Sequence, residues 1–314
     1  MKASCFRLEE AKRQGEKQAE EDGITAFPVD LAAITEKRGI HLEANGDAEL
    51  GVSAMLLRSG NSFGIFYSTA IPSVGFQRFS IAHELGHYFL EGHIDQIPFN
   101  TSGIHTSRAG GFPSDIFEQE ADNFASGLLM PSKLFRRALN RFDDGLAGVK
   151  GLASLCQTSL TATAIRYAEL TEAASAVIVS TGKTVDFACM SSAMKSFAKL
   201  TWLRRGDLLP KGTLTANFNA QRDQFDEVER SDETDLRLWL DGTRSRDVVE
   251  EVIGLGRYGK TLTVLTCPDA DGDGEDEEEE DSLPQAGHRG FDSASRQQGR
   301  AQNALNKCCL MREA

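Results

Sequence analysis

Phe79-Ser80-Ile81-Ala82-His83-Glu84-Leu85-Gly86-His87-Tyr88-Phe89-Leu90 is the stretch on which the reading of this chain turns. It is an H-E-x-x-H motif set among apolar residues. On an α-helix, positions four apart lie on one face, one turn above the other. Two imidazoles at that spacing can share one tetrahedral zinc ion. Glu84 projects about 100° around the helix from His83. That places it beside such an ion rather than on it, where it can take a proton from a water. Ile81, Ala82, Leu85, Tyr88, Phe89 and Leu90 imply a largely buried helix. Two unpaired imidazoles and a carboxylate would be costly there, and a cation between them removes the cost.

A catalytic zinc takes three protein ligands and keeps one position open. Downstream runs Phe117-Glu118-Gln119-Glu120-Ala121-Asp122-Asn123-Phe124-Ala125, ending at Leu128-Leu129-Met130-Pro131. Glu118 and Asp122 share a helix face. Ala121 and Ala125 are small enough to let this helix approach the first, and Pro131 is a natural stop. Glu118 is the expected third ligand. Asp122 is expected to accept a hydrogen bond from the far nitrogen of a ligand histidine. Glu120 points elsewhere on the helix and is the weaker candidate. His93, six residues after His87, stands where metzincin proteases place a third histidine. Those proteins need a glycine three residues after the second histidine, and this chain has Leu90 there. His93 is therefore expected to be a polar residue just past a helix end.

With both segments in view, the chain resembles the ImmA/IrrE family of metallopeptidases. The likeness rests on Arg78 to His87, on Glu118 to Pro131, and on a lead-in in which Pro28-Val29-Asp30-Leu31 is followed by Gly39-Ile40. The resemblance implies an α+β, zincin-like metallopeptidase domain made of a small sheet, the H-E-x-x-H helix and the Glu118 helix. It implies a gluzincin-like Zn2+ site with His83, His87 and Glu118 as ligands and Glu84 as catalytic base. It also implies an endopeptidase acting on a specific cytoplasmic protein, such as a helix-turn-helix repressor, in a stress response. The alternative is a non-proteolytic regulator with a structural zinc, acting through protein or DNA binding. The intact Glu84 speaks against that, because a purely structural site has no use for a base. A donor for the oxyanion is still needed, and Tyr88, His93 and His105 all remain open. The Gly- and Ser-rich stretch between His87 and Glu118 predicts an extended loop.

Composition narrows the setting. With 314 residues, 40% of them hydrophobic, the chain can bury a sizeable core in two or three domains. No apolar run reaches membrane-spanning length, and Met1-Lys2-Ala3-Ser4-Cys5 leads into a charged helix rather than a signal peptide. The six cysteines lack a C-x-x-C pair, which suits reduced thiols in a cytoplasm. The net charge of −13 argues against a general nucleic-acid surface, although ten carboxylates lie between Asp269 and Asp281 alone. An acidic protein would attract a basic partner such as a DNA-binding repressor.

Four parts are expected: a metallopeptidase domain over 1–131, a helical subdomain over 132–172, a second α/β domain over 173–267, which the resemblance implies to be sensor-like as in some relatives and which otherwise reads as a packing or partner-docking domain, and a disordered acidic tail over 268–314. In the first part, 1–22 and 28–39 read as helices. Gly51 to Arg58 and Phe63 to Ser68 read as strands of a hairpin turned by Ser59-Gly60-Asn61-Ser62. The segment Leu152 to Tyr167 has a weak helix-turn-helix rhythm, but 132–172 holds only six basic residues against four acidic ones. In the third part, Ala176 to Ser180, Asp186 to Cys189, Leu236 to Leu240, Val248 to Ile253 and Thr261 to Thr266 read as strands, and Ser191 to Leu200 as a helix. Gly254-Leu255-Gly256-Arg257-Tyr258-Gly259 fits G-x-G-x-x-G, but a β-like run follows it, so a turn is expected. Asp269 to Glu280 fits an EF-hand loop by letters, without flanking helices.

Overall fold

The computed structural model describes residues 2–46, 51–108, 115–197, 200–221, 226–240, 245–256 and 259–268. The acidic stretch with its EF-hand-like letters therefore lies outside the described residues.

The chain opens with helix α1 (Lys2–Glu21) and a short α2 (Leu31–Lys37), whose N-terminus is capped by the Asp30 carboxylate. Strands β1 (His41–Asn45), β2 (Val52–Ser59) and β3 (Ser62–Ser68) follow. Helix α3 (Val74–Phe89) comes next, then a one-turn α4 (His93–Gln96) and strand β4 (Ile104–Arg108). The first sheet has the order β1-β3-β2-β4, with β1 parallel to β3 and the other pairs antiparallel. The hairpin turn falls where Gly60 (φ 61°) takes the left-handed conformation. The expected long loop between His87 and Glu118 is instead built up. It holds α4 and β4, and β4 forms the edge of the sheet. Strand pairing imposes this on a segment whose Gly and Ser content reads as loop.

Helix α5 (Ile116–Leu129) starts at an Asp115 cap and packs on α3. The approach is close: a methyl at Gly86 would stand 3.0 Å from the Ala121 Cα. Helix α1 crosses the other side of α5 at two glycines. A methyl on Gly15 would overlap the Phe124 carbonyl, and one on Gly127 would overlap that of Lys12. The charged α1 is thus half-buried, with Lys12 paired to Glu169 at 3.0 Å and Arg166 paired to Glu16. Ile65, Leu56, Phe79, Ala82, Leu85, Phe124 and Leu128 form the core between sheet and helices.

Three helices lead on: α6 (Ser132–Leu139), α7 (Leu146–Cys156) and α8 (Leu160–Leu170). Then come β5 (Ala174–Thr181), β6 (Thr184–Met190), α9 (Ser192–Ser196), α10 (Leu214–Ala220), β7 (Asp226–Asp235), α11 (Leu236–Leu240), β8 (Asp247–Leu255) and β9 (Lys260–Cys267). The second sheet has the order β6-β5-β9-β8-β7 and is antiparallel throughout, so this part is α+β rather than α/β. Strand β5 shows why it reads as continuously apolar. Val177 and Val179 face the core shared with the first sheet, while Ala174, Ala176 and Ile178 face a second core with Trp239 and Met194. The Gly254–Gly259 motif runs out of β8 into a turn with Gly256 and Gly259 at positive φ, ahead of β9.

Two expectations are corrected here. Leu236 to Leu240 is a helical turn, and its buried residues Leu236, Trp239 and Leu240 stand at helical spacing. The predicted helix over 191–200 is limited to the five residues of α9, and strand β7, rich in charged residues, was not expected.

Candidate metal centre

Helix α3 presents His83, Glu84 and His87, all buried, on the side facing α5 and β4. The Nε2 atoms of His83 and His87 lie 3.1 Å apart. Glu118, in the first turn of α5, completes a triangle: one carboxylate oxygen is 3.4 Å from His83 Nε2 and the other 3.3 Å from His87 Nε2. Ligands on a tetrahedral zinc with bonds of about 2.0–2.1 Å stand ~3.3 Å from one another. The three side chains therefore fit such an ion in kind and in spacing.

The far ring nitrogens are engaged as well. His83 Nδ1 lies 2.8 Å from Asp122 Oδ1. A carboxylate only accepts, so Nδ1 carries a hydrogen, and Nε2 is the nitrogen turned toward Glu118 and the centre. His87 Nδ1 lies 3.1 Å from His93 Nδ1, and His93 Nε2 lies 3.2 Å from Glu120 Oε2. His93 does lie just past the end of α3, but it is not a solvated residue there. It is buried at the start of α4, and Glu120, the weaker candidate by helix position, is its partner. Glu120 in turn accepts two hydrogen bonds from Arg7 on α1, at 2.5 and 2.7 Å.

Strand β4 supplies the remaining wall. Its register sets His105 opposite Leu56, with the ring turned inward. His105 Nε2 is 3.3 Å from Glu118 Oε1, and Nδ1 is 3.2 Å from the Pro98 carbonyl oxygen. Tyr88, by contrast, packs edge-on against Phe63 and Phe89. Glu84 is fully buried, and neither of its oxygens makes a hydrogen bond of standard geometry among the described residues, although the Ser107 hydroxyl is near enough to pull its pKa down. A ligand-capable atom of Glu84 lies within 4.8 Å of ring nitrogens of both His87 and His105.

Charge follows from this packing. Burial pushes the His87 pKa well below the usual imidazole value against the pull of Glu118, so the ring is neutral, as a metal ligand must be. Burial pushes the Glu118 carboxyl up, but His105, His83 and His87 outweigh it and hold it far below the carboxylate range. Burial raises the Glu84 pKa, with His83 and His105 pulling the other way. Burial lowers that of His105, but the carboxylates of Glu118 and Glu84 reverse this and raise it overall.

A sheet edge beside a helix carrying two histidines and a glutamate, with a carboxylate from a neighbouring helix, defines a centre of the metallopeptidase type. Residues 62–167 match the family model Peptidase_M78, described as the IrrE N-terminal-like domain. The matched segment includes His83, Glu84, His87, Glu118 and Asp122, but not α1. In three dimensions the chain is similar to a Mycobacterium tuberculosis transcriptional regulator. The likeness has a TM-score of 0.50 and 15% identity over 82% of this chain and 87% of that one. At that identity the likeness concerns the fold. No curated protein sequence matches the chain. No helix among the described residues is long and apolar enough to cross a membrane.

Proposed function

We propose that this protein is a zinc-dependent endopeptidase acting on a specific protein, of which a helix-turn-helix repressor is the leading class. The observation that carries the reading is Glu84: a fully buried carboxylate with no hydrogen bond of standard geometry among the described residues, beside a set of metal-competent donors. Burying such a group costs a fold free energy, and use as a general base is one reason to keep it. Zinc held by His83, His87 and Glu118 would supply Lewis acidity toward a peptide carbonyl and acidify a water in its open position. Glu84 would take a proton from a water at the centre and return it to the leaving amine nitrogen. Of the three oxyanion donors considered, Tyr88 packs among phenylalanines and His93 is engaged at both nitrogens. His105 keeps Nε2 at the site and, when protonated, donates from it to the oxyanion while Nδ1 stays on the Pro98 carbonyl. The edge strand β4 supports an extended substrate, because a peptide can add there as a further strand.

A DNA-binding role for the α7–α8 pair is disfavoured. A recognition helix must be exposed to enter a groove, whereas most of α8 is buried and Arg166 is engaged by Glu16, Glu169 and the Met130 carbonyl.

The test combines metal analysis with co-expression beside a helix-turn-helix repressor encoded next to its gene. The wild type is expected to carry one zinc and to shorten the repressor, and a chelator to stop it. His83→Ala is expected to lose the metal, and Glu84→Gln to keep the metal and lose cleavage. Cleavage by Glu84→Gln at the wild-type rate would overturn the assignment of the base.

A further inference from the structure

The two histidines of the motif are oriented by different means. His83 meets a carboxylate directly, whereas His87 meets a second imidazole, and an imidazole can face it with either a lone pair or a hydrogen. Something beyond His93 must decide which. The order of contacts on His87 runs His93, Glu120, Arg7, at 3.1 Å, 3.2 Å and 2.5–2.7 Å. Glu120 is an acceptor at both oxygens and is already paired by the Arg7 guanidinium. It can only accept from His93 Nε2, so Nε2 carries the hydrogen of that ring. In the neutral rings His93 Nδ1 is then a lone pair, His87 Nδ1 must donate to it, and His87 Nε2 is left bare toward the centre.

We propose that helix α1 is a working part of this centre: Arg7, acting through Glu120 and His93, sets the tautomer of His87 that binds metal. The inference rests on the metal reading given above. Arg7, Glu120 and His93 are positioning residues; none of them faces the triangle of ligands. Two further contacts fit the role. The Arg7 guanidinium lies 5.6 Å from the centre of the Phe117 ring, and His93 meets the same ring edge-on at 5.1 Å, so Phe117 braces both ends. The glycine crossing of α1 on α5 places Arg7 at Glu120 across 113 positions of sequence.

The order of hydrogens makes an unusual demand on Glu120→Gln. Arg7 would hold the amide oxygen and turn the NH2 group toward His93. That group donates, so His93 Nε2 would become the acceptor, and the hydrogens would reverse through Nδ1 to His87 Nε2. Glu120→Ala merely removes the partner. A packing role for Glu120 predicts that the isosteric Gln is the milder change; the tautomer role predicts that Gln is at least as damaging as Ala.

The experiment measures zinc affinity of the purified full chain by competition with a chromophoric chelator, alongside nitrogen-detected NMR of the histidine rings in metal-free protein. Expected are a loss of about 10–100-fold in zinc affinity for Glu120→Gln, and a smaller loss for Arg7→Met, partly restored in Arg7→Lys. The NMR should show hydrogen on His87 Nδ1 in the wild type and on Nε2 in Glu120→Gln. Arg7 is half-exposed, so its variants keep the fold if those of Glu120 do not. A Glu120→Gln protein with wild-type zinc affinity, or with the His87 hydrogen still on Nδ1, would overturn the proposal while leaving the metal reading intact. A wild type that binds no zinc would instead sink the metal reading, and the NMR would still decide the order of hydrogens.

Discussion

Each of the two sheets has one fully buried glutamate beside it, and the two are treated in opposite ways. Glu250 on β8 accepts from the Thr215 backbone N–H and hydroxyl, each at 2.7 Å, and from Trp239 Nε1 at 3.1 Å. Glu84 on α3 makes no hydrogen bond of standard geometry among the described residues, with the Ser107 hydroxyl near enough only to pull its pKa down. Burial costs a carboxylate several kcal/mol unless donors replace water. By the second sheet that cost is met within the fold, and Glu250 ties α10 and α11 to β8. By the first sheet it is left standing next to three metal-competent side chains. The same residue type at the same depth is a structural tie in one place and, on the function proposed above, the general base in the other.

The contrast can be broken most directly through activity. Glu84→Gln should lower cleavage by about a hundred- to ten-thousand-fold, whereas Glu250→Gln should leave the turnover of the folded fraction unchanged; equal losses would erase the distinction. Stability should move the other way. Glu250→Gln turns an NH2 group toward a donor and should cost about 1–3 kcal/mol in denaturant unfolding. Glu84→Gln relieves an unsatisfied charge and should leave the metal-free protein as stable or more so.

A sharper version uses pH. Because burial raises the Glu84 pKa, the native state holds that proton more tightly than the unfolded chain. The penalty is absent below the unfolded value of about 4.3 and grows as pH rises toward the folded value. The stability advantage of Glu84→Gln should therefore be largest above the folded pKa and shrink on acidification toward the unfolded value. An advantage that grows on acidification would show that the carboxylate is not destabilised. Gly86→Ala tests whether the first region depends on helix spacing. Forcing α3 from Ala121 should cost about 1–3 kcal/mol and weaken metal binding, measured by calorimetry; unchanged affinity would mean that the gap between α3 and α5 is not critical.

Much of the centre was legible. His83, Glu84 and His87 lie within one helical turn, and Glu118 and Asp122 share another, so two local periodicities reach all five. The structure brings His83, His87 and Glu118 together and sets Asp122 against His83. What stayed hidden involves contacts that no local period encodes. Arg7 meets Glu120 only because α1 crosses α5 at Gly15 and Gly127. His105 enters the site only because β4 pairs with β2 in one register. Leu236 to Leu240 was misread because Leu-Arg-Leu-Trp-Leu satisfies a period of two as well as its buried helical face. Strand β7 was missed because it is an edge strand, paired on one side only, whose charges suit an edge and hide its pairing.

By itself the sequence determined which side chains can hold a metal and which can move a proton, since that depends on residue type and on spacing within a helix. Tertiary structure decided which hydrogens those rings carry and which wall closes the site. Those choices rest on hydrogen-bond partners delivered by α1 and β4, and only packing between distant segments can supply them.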